Sequence, residues 1–157
     1  MQETLTQLRE LAHGIYPPLL RDHGLGEALR NAASRAGLPT TVQVGSDERF
    51  GADVEAAVYF CCLEAMQNAG KHAGDDAELT IRVGAEGGSL TFEVIDDGIG
   101  FDPSAVADSH GFVNMRDRVG ALGGVISVTS SPDRGTVVHG SLPLSEPESP
   151  MTAAVSQ

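Results

Sequence analysis

The segment DDGIG, residues 96–100, constrains the fold of this chain most strongly, because its first carboxylate is predicted to face the protein core. Residues 89–95 read as a strand, and the alternation of a strand places Asp96 on the same face as Phe92 and Val94. A carboxylate on an apolar face is costly unless it is hydrogen-bonded, and the two glycines allow close approach of the backbone to a ligand. The pattern predicts a pocket with an acceptor at its floor. The alternative is a satisfied aspartate that opens a tight turn.

A second group of polar residues lies on one long predicted helix, residues 52–73. Their spacing places them on neighbouring turns, on a side that adjoins the apolar stripe of the helix. They are Glu64, Asn68, Lys71 and His72. Glutamate can orient a nucleophile, asparagine can offer an oxygen to Mg²⁺, and lysine can neutralise a phosphate. This pattern predicts a ligand with phosphate and metal. The alternative is a helix end that emerges into solvent.

Residues 134–142 read as another strand, which follows the glycine of a turn. Alternation puts Thr136 on the core side together with Val138 and Leu142. A buried threonine is more often a satisfied core residue than a ligand contact. Its position directly after Gly135 nevertheless makes Thr136 a candidate for binding.

The order of predicted elements indicates an α+β fold, a two-layer α/β sandwich in which a mixed sheet of about five strands is covered on one face by about three helices. A first helix, residues 2–16, is expected to stop at Pro17-Pro18. Residues 98–110 read as an irregular lid loop. The other helices are predicted at 25–36, 52–73 and 111–122, and the strands at 40–44, 79–83, 90–95, 125–130 and 136–142.

The net charge of the chain limits the classes of partner that it can bind. Ten Lys and Arg residues against 22 Asp and Glu give a net charge of −12, which disfavours binding to nucleic acid or to an anionic membrane. Cys61 and Cys62 are adjacent on a helix, where side chains diverge by about 100°, so no disulfide is expected between them. No apolar run approaches the ~20 residues of a membrane span. A reducing cytoplasmic setting is expected, although a parent protein can be membrane-anchored.

Four motifs in chain order resemble the catalytic and ATP-binding domain of sensor histidine kinases. They are Glu64-x-x-x-Asn68-Ala69-x-Lys71-His72-Ala73, the segment 96–102, the segment His110-Gly111-Phe112-Val113-Asn114-Met115-Arg116-Asp117-Arg118, and Gly135-Thr136. That domain has the Bergerat-type fold of the ATPase superfamily shared with Hsp90, type II topoisomerases and MutL. The details resemble the subgroup with short ATP lids that partners LuxR-type response regulators.

The resemblance implies ATP and Mg²⁺ as cofactors and a role for each matching residue. Asp96 would accept from the adenine amino group, directly and through a water shared with Thr136, and Asn68 would ligate Mg²⁺. Glu64 would orient or deprotonate the incoming histidine. The rim of the nucleotide pocket and the surroundings of the phosphates would be formed by Gly98, Gly100, Lys71, His72, His110, Gly111 and Phe112. His110 can equally be an exposed loop residue, and Phe112 stands where the family has leucine.

The resemblance extends upstream and predicts three regions. Residues 1–20 resemble the end of a dimerisation and phosphotransfer domain, residues 21–143 form the ATP-binding domain, and residues 144–157 are an expected disordered tail. In the family the phosphoaccepting histidine is followed by an acidic residue, whereas every histidine here precedes glycine or alanine. The expected partners are therefore a separate histidine-bearing dimerisation domain, in a parent homodimer, and indirectly a response regulator.

Three other interpretations remain open at the level of sequence. One is a serine kinase of the anti-sigma-factor type, and another is a nucleotide-sensing module without transfer activity. The third is a protein-interaction domain in which the motif residues are structural.

Overall fold

The computed structural model of the chain describes residues 18–45, 49–74, 76–99, 110–130 and 135–144. Within them lie the helices α1 (Pro18–His23), α2 (Leu25–Ser34), α3 (Ala52–His72) and α4 (His110–Gly120), and the strands β1 (Thr40–Val44), β2 (Leu79–Glu86), β3 (Ser89–Asp96), β4 (Val125–Ser130) and β5 (Thr136–Pro143). The predicted first helix, most of the predicted lid and the predicted tail after Leu144 lie outside the described residues. Leu144 itself, predicted to start the disordered tail, packs against the core and donates its N–H to the Gly88 carbonyl at 2.8 Å. The same holds for Gly100 and for the side chains of His72 and His110.

The five strands form one mixed sheet in the order β1-β2-β3-β5-β4. β1 runs parallel to β2, and the other neighbouring pairs are antiparallel. Alternate residues of the strands face α2, α3 and α4, and they form one core with these helices. The structure therefore confirms the predicted α+β class with a two-layer arrangement and a five-stranded mixed sheet.

α3 is the central helix because apolar residues occupy most of its circumference. Every residue from Val54 to Leu63 is buried, and the cysteines Cys61 and Cys62 are both free, as predicted. Burial raises the pKa of the Cys61 thiol to about 12, an effect that nearby Arg118 opposes. The thiol is therefore unreactive at neutral pH. No helix in the described residues combines the length and apolarity required to cross a membrane.

The start of α3 is fixed by an ion pair between the buried Glu55 and the partly exposed Arg49, which no sequence pattern predicted. Glu55, of which 2% is exposed, accepts hydrogen bonds from the Arg49 guanidinium at 3.0 Å and from the Phe50 N–H at 3.0 Å. The same guanidinium donates to the Arg21 carbonyl at 3.1 Å, near the end of α1. These contacts attach α1 and the segment before α3 to the central helix.

One prediction about the helices is wrong. No helix was expected between the Pro17-Pro18 pair and Leu25, yet α1 begins at Pro18 and buries Leu20 in the core. Proline suits the first position of a helix, where its missing N–H has no helical partner and its φ is already helical. The residue type that was expected only to end a helix thus begins one here.

Replacing Gly70 by alanine is expected to stabilise the protein. Gly70 lies in the last turns of α3, and a Cβ added there would meet no atom within 4 Å. Glycine in a helix interior costs about 1 kcal/mol relative to alanine, so Gly70→Ala should raise the free energy of unfolding by about that amount in urea denaturation. Gly98→Ala is the matched control with the opposite sign, because its Cβ would overlap the backbone of Ala73. A decrease in stability for Gly70→Ala would contradict the expectation.

Candidate functional site

Asp96 ends β3 with its carboxyl group directed into the core layer. Its exposed fraction is 7%, and burial alternates along β3 so that Phe92 and Val94 share its side of the sheet. The carboxylate Oδ1 accepts a hydrogen bond from the Gly98 N–H at 2.9 Å. The predicted inward orientation of this acid is therefore confirmed.

The surroundings of Asp96 disfavour its charged form. Burial raises the pKa of Asp96 above its ordinary value, and the neighbouring Asp97 raises it further. Backbone N–H groups of Gly98 and Thr136 donate to the carboxylate and lower the pKa in part. Two donors leave part of its acceptor capacity unused, since a carboxylate has about four lone-pair sites. The group is a strong acceptor with room for a donor from a ligand.

The turn after Asp96 is attached to two neighbouring elements. The Asp97 carboxylate accepts from the Glu78 N–H at 2.7 Å, just before β2. The Ile99 N–H donates to the Ala73 carbonyl at 3.1 Å, and a Cβ on Gly98 would overlap Ala73. Only glycine therefore allows the turn to lie against the end of α3. The loop that follows the acid is thereby joined to the helix that carries Asn68.

Thr136 lies directly opposite Asp96 in the pairing of β3 with β5. Its exposed fraction is 5%, and its hydroxyl oxygen lies 2.8 Å from that of Ser130, the last residue of β4. The Ser130 hydroxyl donates to the Gly135 carbonyl at 3.0 Å. Sequence reasoning missed Ser130, although its place at the strand end opposite Thr136 follows from the register of the predicted hairpin.

A cavity lies between the helices and the sheet and unites three of the predicted site residues, Asn68, Asp96 and Thr136. Its other lining residues are apolar side chains of α3, α4 and the strands: Ala65, Ala69, Val94, Met115, Val128 and Val138. We refer to it as the interlayer cavity. Its volume is about 20 Å³, enough for about one water molecule. A purine needs a wider space than the structure shows here.

Two larger depressions lie elsewhere on the described surface, but the groups that line them do not include a buried acid. One of about 390 Å³ is lined by α1, α2 and neighbouring strands, and its cations Arg30 and Arg49 are paired with Glu27 and Glu55. Another of about 360 Å³ is lined by Phe60, Asn114, Asp117 and Arg118. The interlayer cavity combines a buried acid with unused acceptor capacity and a buried hydroxyl, which neither depression offers within the described residues.

The polar flank of α3 lies beside the interlayer cavity and points toward α4. Glu64 and Asn68 are half-buried, whereas Lys71 is exposed and does not adjoin the core as the sequence suggested. Burial raises the pKa of Glu64, and the charge of Lys71 opposes this effect. Gly111 at the start of α4 approaches the Glu64 carboxylate so closely that a Cβ would overlap it. A larger residue at this position would displace the flexible end of the Glu64 side chain, so glycine leaves the carboxylate beside the helix start.

The remaining predicted residues of α4 contribute differently. The Phe112 ring has an exposed fraction of 6% and belongs to the core, where the Arg116 guanidinium lies 5.7 Å from its centre. A ligand contact by Phe112 would thus involve its backbone. Among the described residues, no group of three His, Cys, Asp or Glu side chains is placed to hold a metal ion by itself.

Comparison with known proteins gives matches to one family. Residues 53–146 match the family described as histidine kinase-, DNA gyrase B-, and HSP90-like ATPase. The chain is 27% identical over 154 residues to the signal transduction histidine-protein kinase/phosphatase DegS of Brevibacillus brevis, and 29% identical over 150 residues to the sensor histidine kinase MctS of Rhizobium johnstonii. These alignments cover 94% and 90% of this chain but 40% and 32% of those proteins. The chain thus spans about a third to two fifths of their length.

The fold is also similar to a solved histidine kinase domain, that of the blue-light activated histidine kinase from Erythrobacter litoralis EL346. The TM-score is 0.65 at 24% identity, and the match covers 76% of this chain and 65% of that one. At this level of identity the similarity concerns the fold.

Proposed function

Because this chain belongs to the family of histidine kinase-, DNA gyrase B- and HSP90-like ATPases, we propose that it is the catalytic ATP-binding part of a sensor histidine kinase. It transfers the γ-phosphoryl group of ATP to a histidine on a dimerisation domain, residues 1–20 being the end of such a domain and residues 21–143 the ATP-binding domain. The observation that carries the proposal is the meeting of Asp96, Asn68 and Thr136 in one cavity. The acid offers an acceptor for an amino group and the amide a neutral oxygen for a cation.

The residues of the site fit ATP and Mg²⁺. A buried carboxylate with unused acceptor capacity suits the exocyclic amino group of adenine, and the apolar walls suit its ring. Mg²⁺ is commonly bound through one or two protein groups together with substrate phosphates, so the Asn68 side-chain oxygen suffices as a protein ligand. Lys71 is exposed at the end of α3, and its proposed role is to neutralise phosphate charge. Bound Mg²⁺ would offset the negative charge of the phosphates.

Glu64 is the proposed base or orienting group for the acceptor histidine. Its carboxylate lies one helical turn before Asn68 and against Gly111, so the incoming imidazole would meet it beside the phosphates. The first N–H groups of α4 lack helical partners and can donate to phosphate oxygens. Catalysis would then depend mainly on positioning and electrostatics. We propose that His72 and His110 lie near the phosphates and that Gly100 lies at the rim of the nucleotide pocket.

Partners and setting follow from the same proposal. The parent protein is a homodimer whose dimerisation domain carries the acceptor histidine, and it passes the phosphoryl group to a response regulator. We place it in the subgroup that partners LuxR-type regulators and in the cytoplasm, as part of a parent protein that can be membrane-anchored. Neither nucleic acid nor membrane is a proposed partner of this chain, whose net charge is −12.

The test is transfer of label from γ-labelled ATP with Mg²⁺ to candidate dimerisation domains. Acid-labile label on a histidine would support the proposal. Acid-stable label on serine would instead indicate a serine kinase of the anti-sigma-factor type. Binding of ATP without transfer to any acceptor would indicate a nucleotide-sensing module.

Asn68→Ala should remove the effect of magnesium on ATP binding while adenine contacts persist. Calorimetric titration with ATP should give, for the wild-type chain, tighter binding with Mg²⁺ than with a chelator, and for the variant nearly equal affinities. Gln67→Ala on the same helix is the matched control, and it should retain the magnesium effect. If Mg²⁺ strengthens ATP binding equally in Asn68→Ala and in wild type, Asn68 is not the ligand.

A further inference from the structure

Two consecutive acids stand at the end of β3, and their surroundings differ. Asp96 has an exposed fraction of 7% and lines the interlayer cavity. Asp97 is exposed and is not among the lining residues that the structure describes. Asp97 can therefore act on a base in the cavity only through its neighbours.

The Asp97 side chain attaches the end of β3 to the residue before β2. Its carboxylate accepts a hydrogen bond from the Glu78 N–H at 2.7 Å, whereas the reciprocal backbone bond, from the Asp97 N–H to the Glu78 carbonyl, is 3.3 Å long. A hydrogen bond from a backbone N–H to a carboxylate is charge-assisted, which makes it shorter and about twice as strong as a neutral one. The side chain thus supplies the stronger of the two attachments.

The Glu78 N–H is a donor at a fixed position, because buried residues flank it on both sides. Ala77 is 4% exposed and Leu79 is 2% exposed. Leu79 also pairs directly with Asp96 in the register of β2 and β3. The carboxylate of Asp97 is therefore bound to a rigid part of the fold.

The turn that these contacts hold carries a donor to the buried acid. The Gly98 N–H donates to Oδ1 of Asp96 at 2.9 Å. On the other side of Gly98, the Ile99 N–H donates to the Ala73 carbonyl at 3.1 Å. Gly98 thus lies between two attachments, one made by the Asp97 side chain and one by the Ile99 backbone. Together they keep its N–H directed at the buried carboxylate.

We propose that Asp97 is a positioning residue of the nucleotide site, which holds the turn so that the Gly98 N–H keeps the Asp96 carboxylate oriented toward the adenine amino group. A group that is oriented before binding strengthens the affinity, because its ordering is not paid for during binding. Without the Asp97 acceptor, only the longer backbone bond remains on this side of the turn. This proposal rests on the proposed function and adds a residue that acts on the base through Asp96.

The experiment compares Asp97→Asn with Asp97→Ala by calorimetric titration with adenosine diphosphate, at a pH above the raised pKa of Asp96. Both substitutions remove the same charge, but only asparagine keeps an oxygen that can accept from the Glu78 N–H. Asp97→Ala should therefore bind about three- to tenfold more weakly than Asp97→Asn, the effect of one hydrogen bond. Asp97→Asn should bind at least as tightly as wild type, because the loss of a negative charge does not disfavour an anionic ligand.

A control variant and a second measurement separate this role from a general loss of structure. Asp76→Ala removes a carboxylate from an exposed position two residues before Glu78 and should leave the affinity near that of wild type. In the nucleotide-free chain, hydrogen exchange of the Gly98 amide should be faster in Asp97→Ala than in Asp97→Asn. Exchange of the Val94 amide, within β3, should be the same in both variants. Melting temperatures show whether each variant is folded.

The outcomes discriminate between the two proposals. Equal affinities of folded Asp97→Ala and Asp97→Asn would overturn the role of Asp97 and leave the proposed function intact, and so would equal exchange rates at Gly98. A loss of affinity in Asp76→Ala as large as that in Asp97→Ala would also contradict a specific role of Asp97. A wild-type chain that does not bind adenosine diphosphate would overturn the proposed function itself, and the role of Asp97 with it.

Discussion

Asp96→Asn should weaken binding of adenosine diphosphate by about 10- to 150-fold, which corresponds to the 1.5–3 kcal/mol of a hydrogen bond to a charged group. Asparagine has nearly the same shape, and its oxygen can still accept from the Gly98 N–H as the carboxylate does at 2.9 Å. Its amide nitrogen, however, presents a donor where the adenine amino group needs an acceptor. The measurement is calorimetric titration of variant and wild type at one salt concentration.

The matched control for this substitution is Asp117→Asn. Asp117 is exposed on α4 and lines the depression of about 360 Å³ instead of the interlayer cavity. Its substitution should leave the affinity unchanged. Loss of binding in Asp117→Asn, together with unchanged binding in Asp96→Asn, would move the nucleotide site to the other side of α4.

The affinity for the nucleotide should also depend on pH, because the Asp96 carboxyl group can be protonated. Because burial raises the pKa of this acid, the wild-type affinity should fall as the pH drops through that raised value, whereas Asp96→Asn should lack this transition.

Protonation of Asp96 has the opposite effect on the stability of the fold. Between the ordinary and the raised pKa the folded chain holds a proton that the unfolded chain has released, so stability falls as the pH rises through that window. Asp96→Asn should therefore be at least as stable as wild type at neutral pH.

Glu64→Gln should slow phosphoryl transfer to an added dimerisation domain by about 10²- to 10⁴-fold, the range of general acid–base catalysis. The affinity for adenosine diphosphate should stay near the wild-type value, because Glu64 is not among the residues that line the interlayer cavity in the described part of the chain. Single-turnover transfer of labelled phosphate under saturating ATP separates the two quantities. Glu64→Ala should give a similar loss.

The pH profile of transfer tests the role of Glu64 further. Burial raises the pKa of its carboxyl group, and the base must be ionised to accept a proton. The wild-type rate should therefore decline as the pH falls through the raised pKa of Glu64, and Glu64→Gln should keep only the decline that protonation of the acceptor imidazole causes. Glu93→Gln, on the opposite face of the sheet, is the control and should transfer normally. A wild-type transfer rate in Glu64→Gln would remove Glu64 from the proposed chemistry.

The regular alternation of apolar and polar residues along the strands made much of the fold predictable from the sequence. Strands β1 and β4 have the predicted bounds, and the inward direction of Asp96 followed from its spacing to Phe92 and Val94. Thr136 could be placed by the same rule. In these segments one face is less exposed than the other, so a shift by one residue would turn the apolar set toward solvent. The pattern therefore has only one consistent interpretation.

Contacts between residues distant in sequence were not predictable in this way. The hydrogen bond from Arg49 to the Arg21 carbonyl spans 28 positions, and no periodicity indicates it. The approach of Gly111 to Glu64 depends on how α4 crosses α3. Ser130 reads as an ordinary strand end in the sequence, because its contact with the Thr136 hydroxyl depends on how β4 pairs with β5. Such features require the packed structure.

The most direct measurement of where the nucleotide binds is amide chemical-shift mapping by NMR during titration with adenosine diphosphate. If adenine binds at Asp96, the largest shifts should occur at the N–H groups of Gly98 and Thr136, which donate to its carboxylate, and near Asn68 when Mg²⁺ is added. Shifts concentrated instead at residues 23–30, beside the depression of about 390 Å³, would contradict adenine recognition by Asp96.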